Sequence, residues 1–284
     1  MTPDRYFVLG NPVAHSHSPF IHADFAAQTQ QQLVYDRRLC PLDGFAEAVR
    51  ALAADTAGGP VRGCNVTVPF KLQALRLAGQ VSARARLAGA ANVLSFDPQG
   101  WQADNTDGAG LVQDLTQHAQ WDVRGQRVLL IGAGGAAAGV LGPLLACNPS
   151  QLVVANRTAE KALHLVDSHR HCAAAAGAEL QAAPLDQPGE GFDLVINASA
   201  SSLAGAAVPV PDAVLRPGGL AVDLMYGPAA EPFLAWARSR GAVARDGLGM
   251  LVEQAAEAFW LWRGVRPETP PVLQALRQKV EAAS

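Results

Sequence analysis

The chain has 284 residues, 49% of them hydrophobic and 17% charged, with a formal net charge of -3. That composition is ample for a packed core and excludes a disordered chain, and the length suits about two domains. Lys and Arg are too scattered to build a nucleic-acid surface, and the four cysteines show no CxxC spacing, which predicts small buried thiols in a reducing compartment.

The N-terminus, MTPDRYFVLG, has no basic region followed by an apolar core. No signal peptide is expected, and the chain is assigned to the cytoplasm. RYFVLG reads as a first strand and SPFIHADFAAQ as a helix, with Ser18 as N-cap and Pro19 in the first turn. VRGCNVTV is a strand and FKLQALRLAG a helix. ANVLSF and WQAD flank DPQG, a turn signal that predicts a hairpin. DGAGLVQDLTQHA then puts Leu111, Val112 and Leu115 on one helical face.

From residue 125 the pattern restarts. Val128 to Cys147 is 20 residues without a charge, the length of a membrane span. Its five glycines and Pro143 instead divide it into a buried strand, a glycine turn and a helix. QLVVANR, FDLVINAS and GGLAVDLMY supply further strands, TAEKALHLVDSHR and PFLAWARSRG further helices. Asp167–His171 reads as an exposed helix end. MLVEQAAEAFWLWRG and PVLQALRQKV close the chain as two helices with no strand after them. The alternation predicts an α/β protein with parallel sheets and no membrane segment.

Three stretches carry chemistry. In VLLIGAGGAAAG, Gly132, Gly134 and Ala137 fit G-x-G-x-x-G/A between a strand and a helix, so Gly132, Ala133, Gly134, Gly135 and Ala136 form a turn whose amides can approach a pyrophosphate. The next strand ends in Asn156, Arg157 and Thr158 where an NAD site usually has a carboxylate. Asn156 can bond the ribose, and Arg157 offers a fork suited to a 2′-phosphate. Thr158 adds a hydroxyl and can cap the next helix. NADP is therefore the expected cofactor.

A redox enzyme that turns a ketone into an alcohol must also move a proton. Lys71, flanked by Val68, Pro69, Phe70 and Leu72, is the candidate general acid and base. Asp107 in DNTDG, at a helix start, is its candidate partner. In GNPVAHSHSPFIH, Ser16 and Ser18 can converge on a carboxylate with free backbone amides. His15, His17 and His22 lack accompanying carboxylates or cysteines at metal-site spacing, so no metal is expected.

Together VLGNPVAHSHSPFIH, NVTVPFK, GAANVL, DNTDG, VLLIGAGGAA, NRT, DLMY and DGLGMLVEQAAEAF resemble the shikimate dehydrogenase family, in the family's order, from about residue 6 to 265. The resemblance implies reversible NADPH-dependent reduction of 3-dehydroshikimate to shikimate, in chorismate and aromatic amino acid biosynthesis. It implies a substrate-binding catalytic domain over residues 1–107 and 247–284, an NADP-binding Rossmann domain over 108–246, and a cleft between them. By matching motif, Ser16 and Ser18 bind the substrate carboxylate with Tyr226, and Thr67, Asn92, Asp107 and Gln254 hold its hydroxyls. Lys71 gives the proton with Asp107 as partner, and Gly247 joins the cofactor set.

Two departures stand out. The family usually has Arg or Lys within GAGGASR, where this chain has Ala137 and Ala138, leaving Arg157 more of the 2′-phosphate. The loop NASASSLAG also differs from the commoner NATSSG. The nearest alternative is a quinate/shikimate dehydrogenase with relaxed NAD or NADP use, which an acidic residue at 156 or 157 would have favoured. A dinucleotide sensor without catalysis is the reading from another class, and Lys71 and Asp107 argue against it. Monomer and homodimer are equally compatible with the sequence.

Overall fold

Residues 2–199 and 208–282 are described by the computed structural model. By their contacts they divide into two units: the residues up to Gly110 with Val252–Leu276, and Leu111–Leu251 with the residues from Arg277 on. The divisions sought after residues 107 and 246 thus fall a few positions later. The C-terminal end goes with the second unit, where Arg277 pairs with Asp246 at 2.9 Å.

In the first unit, β1 (Asp4–Gly10), β2 (Leu33–Leu39), β3 (Val61–Val66), β4 (Gln80–Val81), β5 (Val93–Asp97) and β6 (Gly100–Asp104) form a sheet in the order β2-β1-β3-β5-β6-β4. β1 is parallel to both β2 and β3, but β3–β5 and β5–β6 are antiparallel. This sheet is mixed rather than parallel because the DPQG turn joins β5 to β6 too tightly for anything but a hairpin. The helices α1 (Ser18–Gln28), α2 (Phe45–Ala54), α3 (Lys71–Leu77) and α4 (Ala83–Ala88) connect the strands.

Alternate residues of β1 face opposite ways. Phe7 and Leu9 enter a core with Cys64, Val66 and the stacked pair Phe45–Phe70, whose ring centres lie 4.4 Å apart. Tyr6 and Val8 enter an aromatic layer where Tyr6 stacks on Trp262 at 4.6 Å and His22 on Tyr35 at 4.1 Å. Ser18 is not the N-cap expected for α1. His17 holds that position without a side-chain cap bond, and Ser18 is the first helical residue, its N–H given to Ser16 Oγ at 3.3 Å.

The second unit is built on β7 (Arg127–Ile131), β8 (Gln151–Ala155), β9 (Glu179–Ala183), β10 (Phe192–Asn197), β11 (Leu215–Asp223) and β12 (Val243–Arg245). All pair in parallel in the order β12-β11-β10-β7-β8-β9. Counted from β7 this is 3-2-1-4-5-6, the doubly wound order of dinucleotide-binding sheets. Both faces are covered, so the central strands carry apolar side chains on both faces through most of their length. Val128, Leu130, Leu152 and Val154 enter one core, Leu129, Ile131, Val153 and Ala155 the other. Each such leucine or valine contributes about 1.5–3 kcal/mol.

The helices of this unit include α6 (Gly135–Ala146), α7 (Ala159–Ala176) and α8 (Glu231–Ser239). The uncharged run from Val128 therefore resolves into β7, a glycine turn and α6. Among the described residues no helix is long and apolar enough to cross a membrane. The expected exposed helix end at Asp167–His171 lies instead within α7, and His169 there is fully buried, its ring bonded to the Leu165 carbonyl at 3.0 Å. Helix α5 (Asp107–Gln113) tightens no further but widens into a π turn over Asp114–His118, with Leu111 and Leu115 buried and Val112 only half-buried. Two helices close the chain, α9 (Leu248–Arg263) and α10 (Pro270–Glu281).

Candidate functional site

Parallel pairing of β1 with β3 puts Gly10 and Val66 at one end of the first sheet, and antiparallel pairing brings the start of β5 and the end of β6 to that same end. Chain order thus delivers Thr67, Lys71, Asn92 and the turn from Asp104 to Asp107 to one place. Lys71 is the first residue of α3 and Asp107 the first of α5. Lys71 Nζ lies 2.6 Å from Asp107 Oδ2, with the two side chains 18% and 6% exposed.

The shelter of Lys71 has a different source from the one its neighbours suggest. Phe70 points into the core, whereas Val68 and Leu72 are 67% and 58% exposed. The Asp107 carboxylate that holds the ammonium is itself set in a polar network. Asn92 Nδ2 donates to Asp107 Oδ1 and to Thr106 Oγ1, each at 2.9 Å, and lies 3.2 Å from Gln254 Oε1 of α9. Asn92 Oδ1 accepts the Thr106 N–H at 2.8 Å. Asn105 Oδ1 accepts the Asp107 N–H at 3.1 Å, while its amide donates to the Ala90 carbonyl at 3.0 Å. Behind this turn, burial pushes the Asp104 carboxyl up, but bonds from Arg84 and Ser82 outweigh it and hold the group below its usual range.

Ser16 and Ser18 form a second group, their hydroxyls 3.1 Å apart at the head of α1. Asn65 stands between: its Oδ1 accepts from the Tyr35 hydroxyl at 2.6 Å and its Nδ2 donates to the Asn92 carbonyl at 3.2 Å. Thr67 follows β3, half-buried, with its N–H on the Leu9 carbonyl at 2.8 Å. Sequence reasoning had not singled out Asn65, Asn105 or Thr106, although all three lie inside motifs it quoted. Tyr35 had no such signal, because β2 itself was not expected. Burial also pushes His22, behind Tyr35, down to about 3, so this imidazole is neutral.

The second unit holds the other candidates. Gly132 sits at φ 110°, open to glycine, and a Cβ there would come within 3.1 Å of the Ala198 carbonyl. Gly134 caps α6 with no side-chain bond, and a Cβ on Gly134 or Gly135 would meet nothing within 4 Å. Exposed amides over open space at the start of a 12-residue helix suit a pyrophosphate. Asn156 and Arg157 follow β8. Asn156 Nδ2 donates to the Thr158 carbonyl at 2.9 Å, and the Arg157 side chain is exposed. Thr158 holds the N-cap position of α7, but its hydroxyl makes no cap bond.

Ala137 is fully buried and Ala138 packs partly against the same core. Gly247 is required by packing, since a Cβ would lie 2.4 Å from the Leu224 carbonyl. Tyr226 follows β11, half-buried, and burial raises its phenol above the usual value. The residues of NASASSLAG from Ala200 on lie outside the described ones.

Comparison with known proteins bears on both units. The shikimate dehydrogenase substrate binding domain matches residues 8–94, the shikimate/quinate 5-dehydrogenase description residues 114–204, and the shikimate 5′-dehydrogenase C-terminal domain residues 247–277. The shikimate dehydrogenase (NADP(+)) of Methylibium petroleiphilum is 62% identical over 99% of this chain and 96% of its own. Among solved structures, an Ael1 enzyme from Pseudomonas putida superposes with a TM-score of 0.87 at 45% identity, covering 96% of this chain and 98% of its own. The shikimate 5-dehydrogenase of Thermus thermophilus, in complex with NADP(H) and shikimate, gives 0.83 at 31% identity, covering 97% and 99%.

Proposed function

The chain belongs to the shikimate dehydrogenase family, and from that premise we propose that it interconverts 3-dehydroshikimate and shikimate, with Lys71 moving the proton and Asp107 holding Lys71 in place. The observation that carries this reading is the largely buried 2.6 Å Lys71–Asp107 pair, with Asn92 bonded to the other Asp107 oxygen. A ketone becomes an alcohol when a hydride reaches its carbon and a proton its oxygen. NADP(H), when bound, supplies the hydride, and every other task falls to side chains of this protein. Lys71 Nζ gives the proton to the carbonyl oxygen in reduction and takes it back from the hydroxyl in oxidation. Asp107 restricts the lysine to one direction, and its other oxygen is occupied by Asn92.

Thr67, Asn92, Asp107 and Gln254 hold the substrate hydroxyls. Ser16 and Ser18, with Tyr226, take the carboxylate. Gly132–Ala136 receive the pyrophosphate, Asn156, Arg157 and Thr158 the 2′-phosphorylated ribose, and Gly247 lines the cofactor. The polar lining supports this division: hydroxyls and amides beside the Lys71–Asp107 pair suit a polyol acid, while the open glycine turn suits a diphosphate. The residues from 247 on that belong to the first unit contribute Gln254 to its site. The reaction belongs to the cytoplasm, a setting suited to the four free cysteines. The protein works as a monomer or homodimer without nucleic acid or membrane.

A second reading, use of quinate and NAD as well, is favoured by Ala138, which leaves no cation where the family usually has one. Initial rates with shikimate or quinate against NADP or NAD separate the two. Turnover confined to shikimate with NADP is expected. Comparable rates with quinate or NAD would make the broader enzyme the better description.

A further inference from the structure

Ser16 is held by five bonds, and three come from its own stretch of chain. Its N–H donates to the Val13 carbonyl at 3.0 Å, and its hydroxyl both receives the Ser18 N–H at 3.3 Å and donates to Ser18 Oγ at 3.1 Å. The other two come from β2: Arg37 Nε and Nη2 both close on the Ser16 carbonyl oxygen, at 2.8 and 2.5 Å. Two donors of one rigid guanidinium on one oxygen fix both the distance and the direction of that carbonyl. Asp36 Oδ1 accepts the N–H of Arg37 itself at 2.7 Å, which steadies the strand at that residue.

We infer that Arg37 is a positioning residue for the substrate carboxylate, acting through the Ser16 carbonyl to set the direction of the Ser16 and Ser18 hydroxyls. The inference rests on the reading of that serine pair as the carboxylate site. A carboxylate bound by two neutral hydroxyls depends on their alignment, because no formal charge compensates for a misdirected donor. Arg37 is exposed and lies on an edge strand, so its role is not to fill the core.

The test compares wild type with Arg37→Lys and Arg37→Gln, using Ser16→Ala as a reference. Both Arg37 variants should raise the KM for shikimate about 3- to 10-fold, the scale of one lost hydrogen-bonding contact. kcat should change less than about twofold, and the KM for NADP and the melting temperature should stay as they are. Lysine keeps the charge but not the fork, so full rescue by Arg37→Lys would overturn the positioning role. Unchanged KM in both variants would do the same, as would parallel falls in kcat and thermal stability. If Ser16→Ala itself leaves the shikimate KM unmoved, the carboxylate reading of the serines fails instead.

Discussion

Lys71 and Asp107 form a pair whose two members are proposed to do different things, and substitution separates them. Lys71→Ala removes the group proposed to carry the proton and leaves the glycine turn of the other unit untouched. The rate should fall about 10²- to 10⁴-fold, the range expected for a positioned acid or base, with NADP binding retained. A near-native kcat would end the proton-transfer assignment. His22 makes a prediction about stability. Buried against Tyr35, it is neutral in the folded protein, with its pKa lowered from 6.5 to about 3, whereas the unfolded chain binds a proton below about 6.5. The unfolded state therefore takes up more protons as pH falls. The stabilising contribution is complete above that value and is lost progressively toward the folded value. Between neutrality and pH 5 the wild type should lose about 2 kcal/mol through this residue alone. Urea unfolding of wild type and His22→Leu across that range measures it, and two curves with parallel slopes would refute the assignment.

At the scale of elements, the unit from β7 through α6 to β8 decides the cofactor. Gly132, Gly134 and Gly135 leave room for phosphate against the start of α6, and the end of β8 offers Arg157 in place of a carboxylate. With Ala138 set partly into the core, the exposed guanidinium of Arg157 stands without the family's usual companion. Arg157→Ala should thus weaken NADP binding at least tenfold more than NAD binding, since charge-assisted bonds to phosphate contribute about 1.5–3 kcal/mol. Fluorescence titration with both cofactors is the measurement, and equal losses would remove the 2′-phosphate role. The same strands explain what was legible beforehand. RVLLI, QLVVA and FDLVIN are buried on both faces, so composition alone marks them. The strands without a signal, β2, β4, β9 and β12, are the four sheet edges. LVYDRRL carries three charges in seven residues because most of its side chains meet water, and a two-residue strand such as β4 has no period to detect. The site followed the same division. Lys71, Asp107 and Asn92 sit in motifs, while Tyr35 and Arg37 lie on an edge strand whose chemistry only tertiary pairing reveals. Ser18 was misplaced as a cap because serine before proline has the same local signature whether it caps a helix or begins one.

At the scale of the molecule, the proposed site residues are divided between the two units. Ser16, Ser18, Thr67, Lys71, Asn92, Asp107 and Gln254 belong to the first, and Gly132–Ala136, Asn156–Thr158, Tyr226 and Gly247 to the second. The chain reaches this division by leaving the first unit after Gly110 and returning at Val252, so Gln254 joins residues more than a hundred positions earlier. Each unit has its own sheet and its own buried cores, and ligand binding stabilises whatever structure must open to release the ligand. NADP+ alone, at 100 times its dissociation constant, should slow hydrogen exchange in β7, β8 and α6 by up to about 100-fold, because opening competes with binding by mass action. Shikimate alone should give its largest protection in β3, β5, β6 and the turn from Asp104 to Asp107. The amides to follow are those of Val128–Ile131 for the cofactor and of Asn92, Thr106 and Asp107 for the substrate, whose hydrogen-bond acceptors are known. If NADP+ protected Asn92 and Asp107 more strongly than the strands beside its own glycine turn, the assignment of ligands to units would be wrong even with catalysis intact. If each ligand protects its own set first, the order of strands in the two sheets accounts for which substrate each half of the chain can hold.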